Sequence, residues 1–163
     1  MIDSIRNLCL RIFRPVLVLL LVPIGLVALS QESFHVNRDL YSTTADASAD
    51  IAAAVKTAHS QHKRILLEFG GNWCSDCQLL DYYYHQSPNA DLLAKHFVVV
   101  RIDIGHMDHN VDIASRYRVP ITKGVPALAV LDSNGKLLYS EREKEFEHTS
   151  PEAITAFLNH WKG

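Results

Sequence analysis

Two cysteines three residues apart, Cys74 and Cys77 in "EFGGNWCSDCQLL", are the residues of this chain best suited by type and spacing to do chemistry. Such a pair has three uses: a dithiol that exchanges with disulfides, half of a metal site, or a structural bridge. Exchange needs a thiolate, because the thiolate and not the thiol attacks sulfur. The apolar run "RILLEF" (Arg64 to Phe69) predicts a strand, Gly70 and Gly71 break it, and Leu79, Leu80 and Tyr83 predict a helix from Ser75 to Gln86. Cys74 then falls at a helix N-terminus, where unpaired N–H groups and the positive end of the dipole favour a thiolate. Cys77, about one turn on, can reach the Cys74 sulfur and is expected to be less exposed. In that arrangement Cys74 attacks a target disulfide and Cys77 resolves the mixed disulfide.

The other uses stay open at this point. A zinc site takes about four ligands, and one CxxC supplies two. The remaining ligands would come from "HMDH", with His106 and His109; those two histidines with Asp103, Asp108 and Asp112 are a separate candidate metal site, for which a solvated loop is the alternative. A structural bridge closes so short a loop that it removes little unfolded-state entropy. A scaffold whose cysteines serve no purpose is a third alternative. Glu68 lies inside the apolar "ILLEF". A carboxylate there is costly to bury charged, so its pKa should rise, which suits a proton acceptor for Cys77. The alternative is an edge position facing solvent.

The elements that must hold these residues follow from periodicity. Ile51, Val55 and Ala58 predict an amphipathic helix from Asp46 to about His62. After the cysteine-bearing helix come a helical "NADLLAKHF", a β-branched strand "FVVVRIDI" (Phe97 to Ile104), a short helix over "NVDIASRYRV" and a strand "PALAVLD". The turn "DSNG" (Asp132 to Gly135) sends the chain back as "KLLYSE". A last helix opens on Ser150 and Pro151 and buries Ile154, Phe157, Leu158 and Trp161. Strands alternating with helices and closing on a hairpin predict a three-layer α/β domain with a mixed sheet. The tyrosine run Tyr82–Tyr84 cannot face inward throughout, and divides between core and surface or forms a docking patch.

Length and charge narrow the function. The 163 residues suffice for one compact domain, and a formal charge of −2 gives no footprint for a nucleic-acid partner. Phosphate-loop, dinucleotide and Ser-His-Asp patterns are absent from the sequence. Arg6, Arg11 and Arg14 precede the uncharged "PVLVLLLVPIGLVAL" (Pro15 to Leu29), which ends in small residues. This is the pattern of a signal peptide over residues 1–30; the run is short for a spanning helix, although a retained N-terminal membrane anchor is the alternative. Either one places the remainder outside the cytoplasm. Residues 31–45 read as a polar lead-in and 46–163 as the domain.

The segments "ILLEFGGNWCSDCQLLD", "VRIDI" and "GVPALAVLDSNGK" together resemble the thioredoxin superfamily, in particular secreted bacterial thioredoxin-like proteins that reduce disulfides, over about residues 50–162. The resemblance implies a thioredoxin-like α/β/α sandwich and a protein thiol–disulfide oxidoreductase with a redox-active disulfide between Cys74 and Cys77. It implies that Trp73 flanks the active surface and that Glu68 lies beneath the cysteine pair. It implies that Pro126 is a cis-proline facing the cysteines, and that the Val125 backbone pairs with an extended client segment. A proline packed against the thiols also disfavours a metal. Arg101 falls where the family often has a lysine directed at the buried acid. No bound cofactor is implied, so electrons must come from a membrane-bound or soluble donor. The dipeptide Ser75-Asp76 replaces the Gly-Pro of thioredoxin; an acid beside the thiolate raises its pKa and leans the protein towards reductant. "PITK" (Pro120 to Lys123) is extra and lengthens the approach to Pro126. A different class of function on the same fold, a non-catalytic client-binding or metal-delivery module, is the alternative.

Overall fold

The computed structural model describes residues 36–163. The expected signal peptide or anchor, residues 1–30, lies outside the described residues, as does the beginning of the expected lead-in. Among the described residues no helix is long and apolar enough to cross a membrane.

The chain runs α1 (Ala47–Gln61), β1 (Arg64–Gly70), α2 (Ser75–Tyr84), α3 (Asn89–His96), β2 (Phe97–Asp103), α4 (Val111–Arg116), β3 (Ala127–Leu131), β4 (Leu137–Ser140) and α5 (Pro151–Trp161). Each element expected from periodicity is present, with ends moved by up to three residues. Local chemistry sets several ends. The Asp46 side chain accepts from the Ala49 N–H and starts α1, and the Ser150 side chain accepts from the Ala153 N–H and starts α5. Gly135, at φ +83°, allows the turn from β3 to β4.

The sheet order is β2-β1-β3-β4. β1 and β2 are parallel, which requires the crossover that α2 and α3 supply. β3 runs antiparallel to both β1 and β4, so the sheet is mixed. Alternation along the strands divides the core in two. Ile65, Leu67, Phe69, Ala127 and Ala129 pack on one side with Ile51, Ala54 and Ala58 of α1 and Ile113 and Ala114 of α4. Leu66, Leu128 and Val130 pack on the other with Leu80 and Tyr84 of α2 and Ile154 and Leu158 of α5. Helices thus cover both faces, as expected for the three-layer α/β/α class. Each wholly buried Leu, Ile or Phe of β1 contributes about 1.5–3 kcal/mol to holding these layers together.

Part of the stretch expected as a lead-in is docked on the domain. Leu40 and Tyr41 belong to the first of these cores, and Tyr41 is almost completely buried. Packing therefore begins before the boundary expected at residue 46. An irregular segment leaves no periodic signature even when it is docked, so the pattern could not report it.

Candidate active site

Both cysteines lie where β1 hands over to α2. Cys74 is the N-cap residue of α2, in extended conformation, and its Sγ accepts the Cys77 N–H at 3.0 Å. The sulfur thus occupies the place of a capping oxygen, satisfying one N–H that the first helical turn leaves free. The two cysteines form a disulfide, with Cα atoms 5.2 Å apart. Cys74 keeps 5% of its surface open and Cys77 none. Of the two, Cys74 is the one with surface open to solvent.

The surroundings of Cys74 come from distant parts of the chain. Its Sγ is 3.4 Å from the carbonyl oxygen of Val125. The Val125–Pro126 peptide is cis, as the resemblance implied, and a second cis peptide that the sequence reading did not anticipate joins Ser87 to Pro88. Trp73 is half exposed beside the pair. Its indole N–H donates to the Gly105 carbonyl at 2.6 Å, and its ring stacks on His106 at 5.9 Å. Asp76 Oδ1 is 3.4 Å from His148 Nδ1, on the loop after β4. The extra Pro120 to Lys123 segment is tied to that same loop, with Lys123 Nζ donating to the Arg142 carbonyl at 3.0 Å and pairing with Glu143.

Glu68 is wholly buried, not at an edge. Leu66, Glu68 and Gly70 alternate onto one face of β1. Cys77, Asp81 and Tyr84 recur on α2 at helical spacing. Glu68 accepts a hydrogen bond from the Tyr41 hydroxyl at Oε1, and Arg101 Nε lies 3.7 Å from Oε2. Arg101 is the register partner of Glu68 across the parallel strands, and its Nη2 donates to Asp81 Oδ1 at 2.5 Å. Burial pushes the Glu68 carboxyl up from 4.5 to about 7, against the Arg101 charge and the Tyr41 hydrogen bond, with Asp81 adding to the rise. Burial, followed by the Glu68 charge, raises the Tyr41 hydroxyl well above its ordinary 10 and keeps it a donor.

Gly70 completes the arrangement by lacking a side chain. A Cβ there would stand 2.8 Å from Cys77 Sγ and closer still to the Tyr41 hydroxyl. We expect Gly70→Ala to displace one or the other and to destabilise the protein by about 1–3 kcal/mol, as overpacking does, read by denaturant unfolding. An unchanged midpoint would mean that neither group is held against Gly70.

The residues weighed as metal ligands do not converge. Among the described residues no group of three or more His, Cys, Asp or Glu side chains could hold a metal ion. His106 is stacked on Trp73, and His109 Nδ1 lies 3.4 Å from Asp103 Oδ2. The sequence reading passed over Tyr41, Asn72, Gln78 and Asp81. The only signal for Tyr41 was a bulky Leu-Tyr pair in an otherwise polar stretch. Of the tyrosine run, Tyr84 is buried and Tyr82 and Tyr83 are half-buried.

Comparisons with known proteins agree with this geometry. Residues 46–133 match the model of the family described as Thioredoxin-like. A disulphide isomerase from Xylella fastidiosa Temecula1 is 37% identical, with a TM-score of 0.70 over 74% of this chain and 95% of that one. A DsbH oxidoreductase is 25% identical, with a TM-score of 0.52 over 67% of this chain and 78% of that one. The thiol:disulfide interchange protein DsbD of Pseudomonas fluorescens is 26% identical over 121 residues, which make up 73% of this chain. The chain spans only 19% of the length of that curated relative.

Proposed function

We propose, from the premise that this chain belongs to the thioredoxin-like family and carries the dithiol site of a thiol–disulfide oxidoreductase, that it reduces disulfides of client proteins outside the cytoplasm. The observation that carries this reading is the asymmetry of the pair. Cys74 caps a helix and keeps 5% of its surface open, and Cys77 lies behind it, sealed from solvent. Cys74 attacks the client disulfide, Cys77 resolves it, and Glu68 accepts the proton of Cys77. The Val125 backbone, next to the Cys74 sulfur and ahead of Pro126, offers a rim on which an extended client segment can lie, with Trp73 on the other side.

The direction of exchange rests on Asp76. A carboxylate in the first turn of α2, two residues from Cys74, opposes the negative charge of a thiolate there, so it favours the disulfide form and makes the dithiol a donor of electrons. Its electrons come from a membrane-bound or soluble donor. Residues 1–30 act as a signal peptide or anchor, and the periplasm is the natural compartment for such a sequence. The relatives named as a disulphide isomerase and a thiol:disulfide interchange protein support this class of reaction.

The test is covalent capture. The full chain carrying Cys9→Ser and Cys77→Ser, mixed with insulin, is expected to form a mixed disulfide through Cys74 that dithiothreitol releases. A client-binding module would hold insulin without a bond, so the absence of any reductant-sensitive adduct on denaturing gels would overturn the oxidoreductase reading. A reduction potential for the Cys74–Cys77 couple no lower than that of the glutathione pool would remove the assignment as reductant.

A further inference from the structure

Residues 37–41 are fastened to the active-site loop by two reciprocal amide pairs. Asn72, two residues before Cys74, accepts the Tyr41 N–H at Oδ1 (2.8 Å) and donates from Nδ2 to the Tyr41 carbonyl (2.9 Å). Gln78, next to Cys77, accepts the Asn37 N–H and donates to the Asn37 carbonyl, both at 2.8 Å. A single side chain that satisfies both backbone groups of a distant residue fixes that residue's position and orientation. The segment is thereby held on residues either side of the CxxC.

This clamp determines where the Tyr41 hydroxyl goes. It donates to Glu68 Oε1 and lies against Gly70, where a Cβ would meet both the Tyr41 hydroxyl and, at 2.8 Å, Cys77 Sγ. Carboxylate, hydroxyl and sulfur thus follow one another along the strand. Around Glu68 stand Tyr41 from this segment, Asp81 and Tyr84 from α2, and Arg101 from β2. Among these, Tyr41 alone donates a hydrogen bond to the carboxyl and, with Cys77, borders the space that Gly70 leaves open.

We propose that Tyr41 is a positioning residue of the resolving half-reaction: clamped by Asn72, its hydroxyl links Glu68 to Cys77 and routes the Cys77 proton to the Glu68 carboxylate. The step balances. The bond between the client sulfur and Cys74 breaks and the Cys74–Cys77 bond forms, with the electron pair leaving on the client sulfur. The Tyr41 hydroxyl passes its proton to Glu68 and takes up the proton from Cys77. Burial brings the Glu68 carboxyl to about 7, so that it can hold and return this proton near neutrality. The inference deepens the proposed function and rests on it.

The experiment is stopped-flow reduction of 5,5′-dithiobis(2-nitrobenzoate) by the reduced full chain carrying Cys9→Ser as background, which releases one thionitrobenzoate as Cys74 attacks and a second as Cys77 resolves. Tyr41→Phe is expected to keep the first phase and to slow the second by at least about tenfold. Its second phase is also expected to lose the wild-type rise with pH through the Glu68 titration. Glu68→Gln is expected to do the same, and the double variant to be no slower than the slower single one. A second phase in Tyr41→Phe with the wild-type pH profile, or a double-variant loss equal to the product of the two, would overturn the proposal. Should Tyr41→Phe not fold, a proton inventory on wild type decides: the second-phase rate should curve with deuterium fraction, as two moving protons require, and a straight line rejects the route. If wild type lacks even the first phase, the oxidoreductase reading itself has failed, and the two failures are thereby distinct.

Discussion

With Cys74 replaced by serine, the dithiothreitol-driven reduction of insulin by this protein is expected to fall to the uncatalysed rate, a loss of about a thousandfold or more. The size of the loss follows from the geometry. Only Cys74 has surface open to an incoming disulfide; Cys77 has none. Only Cys74 receives the N–H of the first turn of α2 on its sulfur, which stabilises negative charge there. A serine hydroxyl in the same place stays protonated and forms no bond to sulfur that a thiol could later resolve. The same asymmetry implies that iodoacetamide alkylates Cys74 ahead of Cys77 in the reduced protein, as peptide mass mapping would show. Residual turnover in Cys74→Ser comparable to wild type would mean that the client is reduced somewhere other than this pair.

The second large effect is on stability. Glu68 titrates at about 7 in the folded protein and near 4.5 when free. Over that interval the folded state holds a proton that the unfolded chain has released, so stability falls as pH rises. Below about 4.5 the carboxyl is protonated in both states and the effect is absent; above about 7 the loss is complete. The difference corresponds to about 3 kcal/mol. Its main cause is burial; the Arg101 charge and the Tyr41 hydrogen bond offset only part of it. Burial also pushes the Glu141 carboxyl up to about 7, against backbone N–H groups that include those of Leu128 and Glu145, and gives a slope of the same sign. The comparison of wild type with Glu68→Gln isolates Glu68. Urea unfolding with the disulfide intact should show the variant losing about 3 kcal/mol less than wild type from pH 5 to 8. Parallel curves would mean that Glu68 is ionised in the folded protein throughout.

The stability loss and the proposed chemistry share one origin. A carboxyl that can accept a proton at neutral pH must be one for which charge is unfavourable, and β1 provides this by placing Glu68 between apolar neighbours under α2. The Arg101–Asp81 pair lies close enough to moderate the effect without cancelling it, because Arg101 directs its shortest contact to Asp81, 2.5 Å away, and stands 3.7 Å from Glu68. Functional sites commonly carry such a cost.

Much of this was legible without coordinates. "RILLEF" and "FVVVRIDI" read best as strands, and the spacing of apolar residues after Cys74 as a helix. Cys74 at a helix start and Glu68 inside an apolar run followed directly. The resemblance to a known family added the cis geometry at Pro126, which no propensity or spacing in the chain itself demands. What escaped was the segment before residue 46. It has no repeat and little apolar content, and its attachment depends on single amide side chains, Asn72 and Gln78, that look like ordinary polar surface in a sequence. Arg101 was seen as a candidate, but whether it met the buried acid depended on strand register.

By itself the amino-acid order determined the succession of helices and strands, the place of each cysteine on its helix, and the unfavourable setting of Glu68, because all of these follow from neighbours within a few residues. Only the tertiary structure decided what comes to meet them: Tyr41 on Glu68 from 27 residues away, and the Val125 carbonyl beside Cys74 from 51. Such meetings are fixed by sheet register and by which side chains the whole core can bury together, and no local stretch of sequence carries that information.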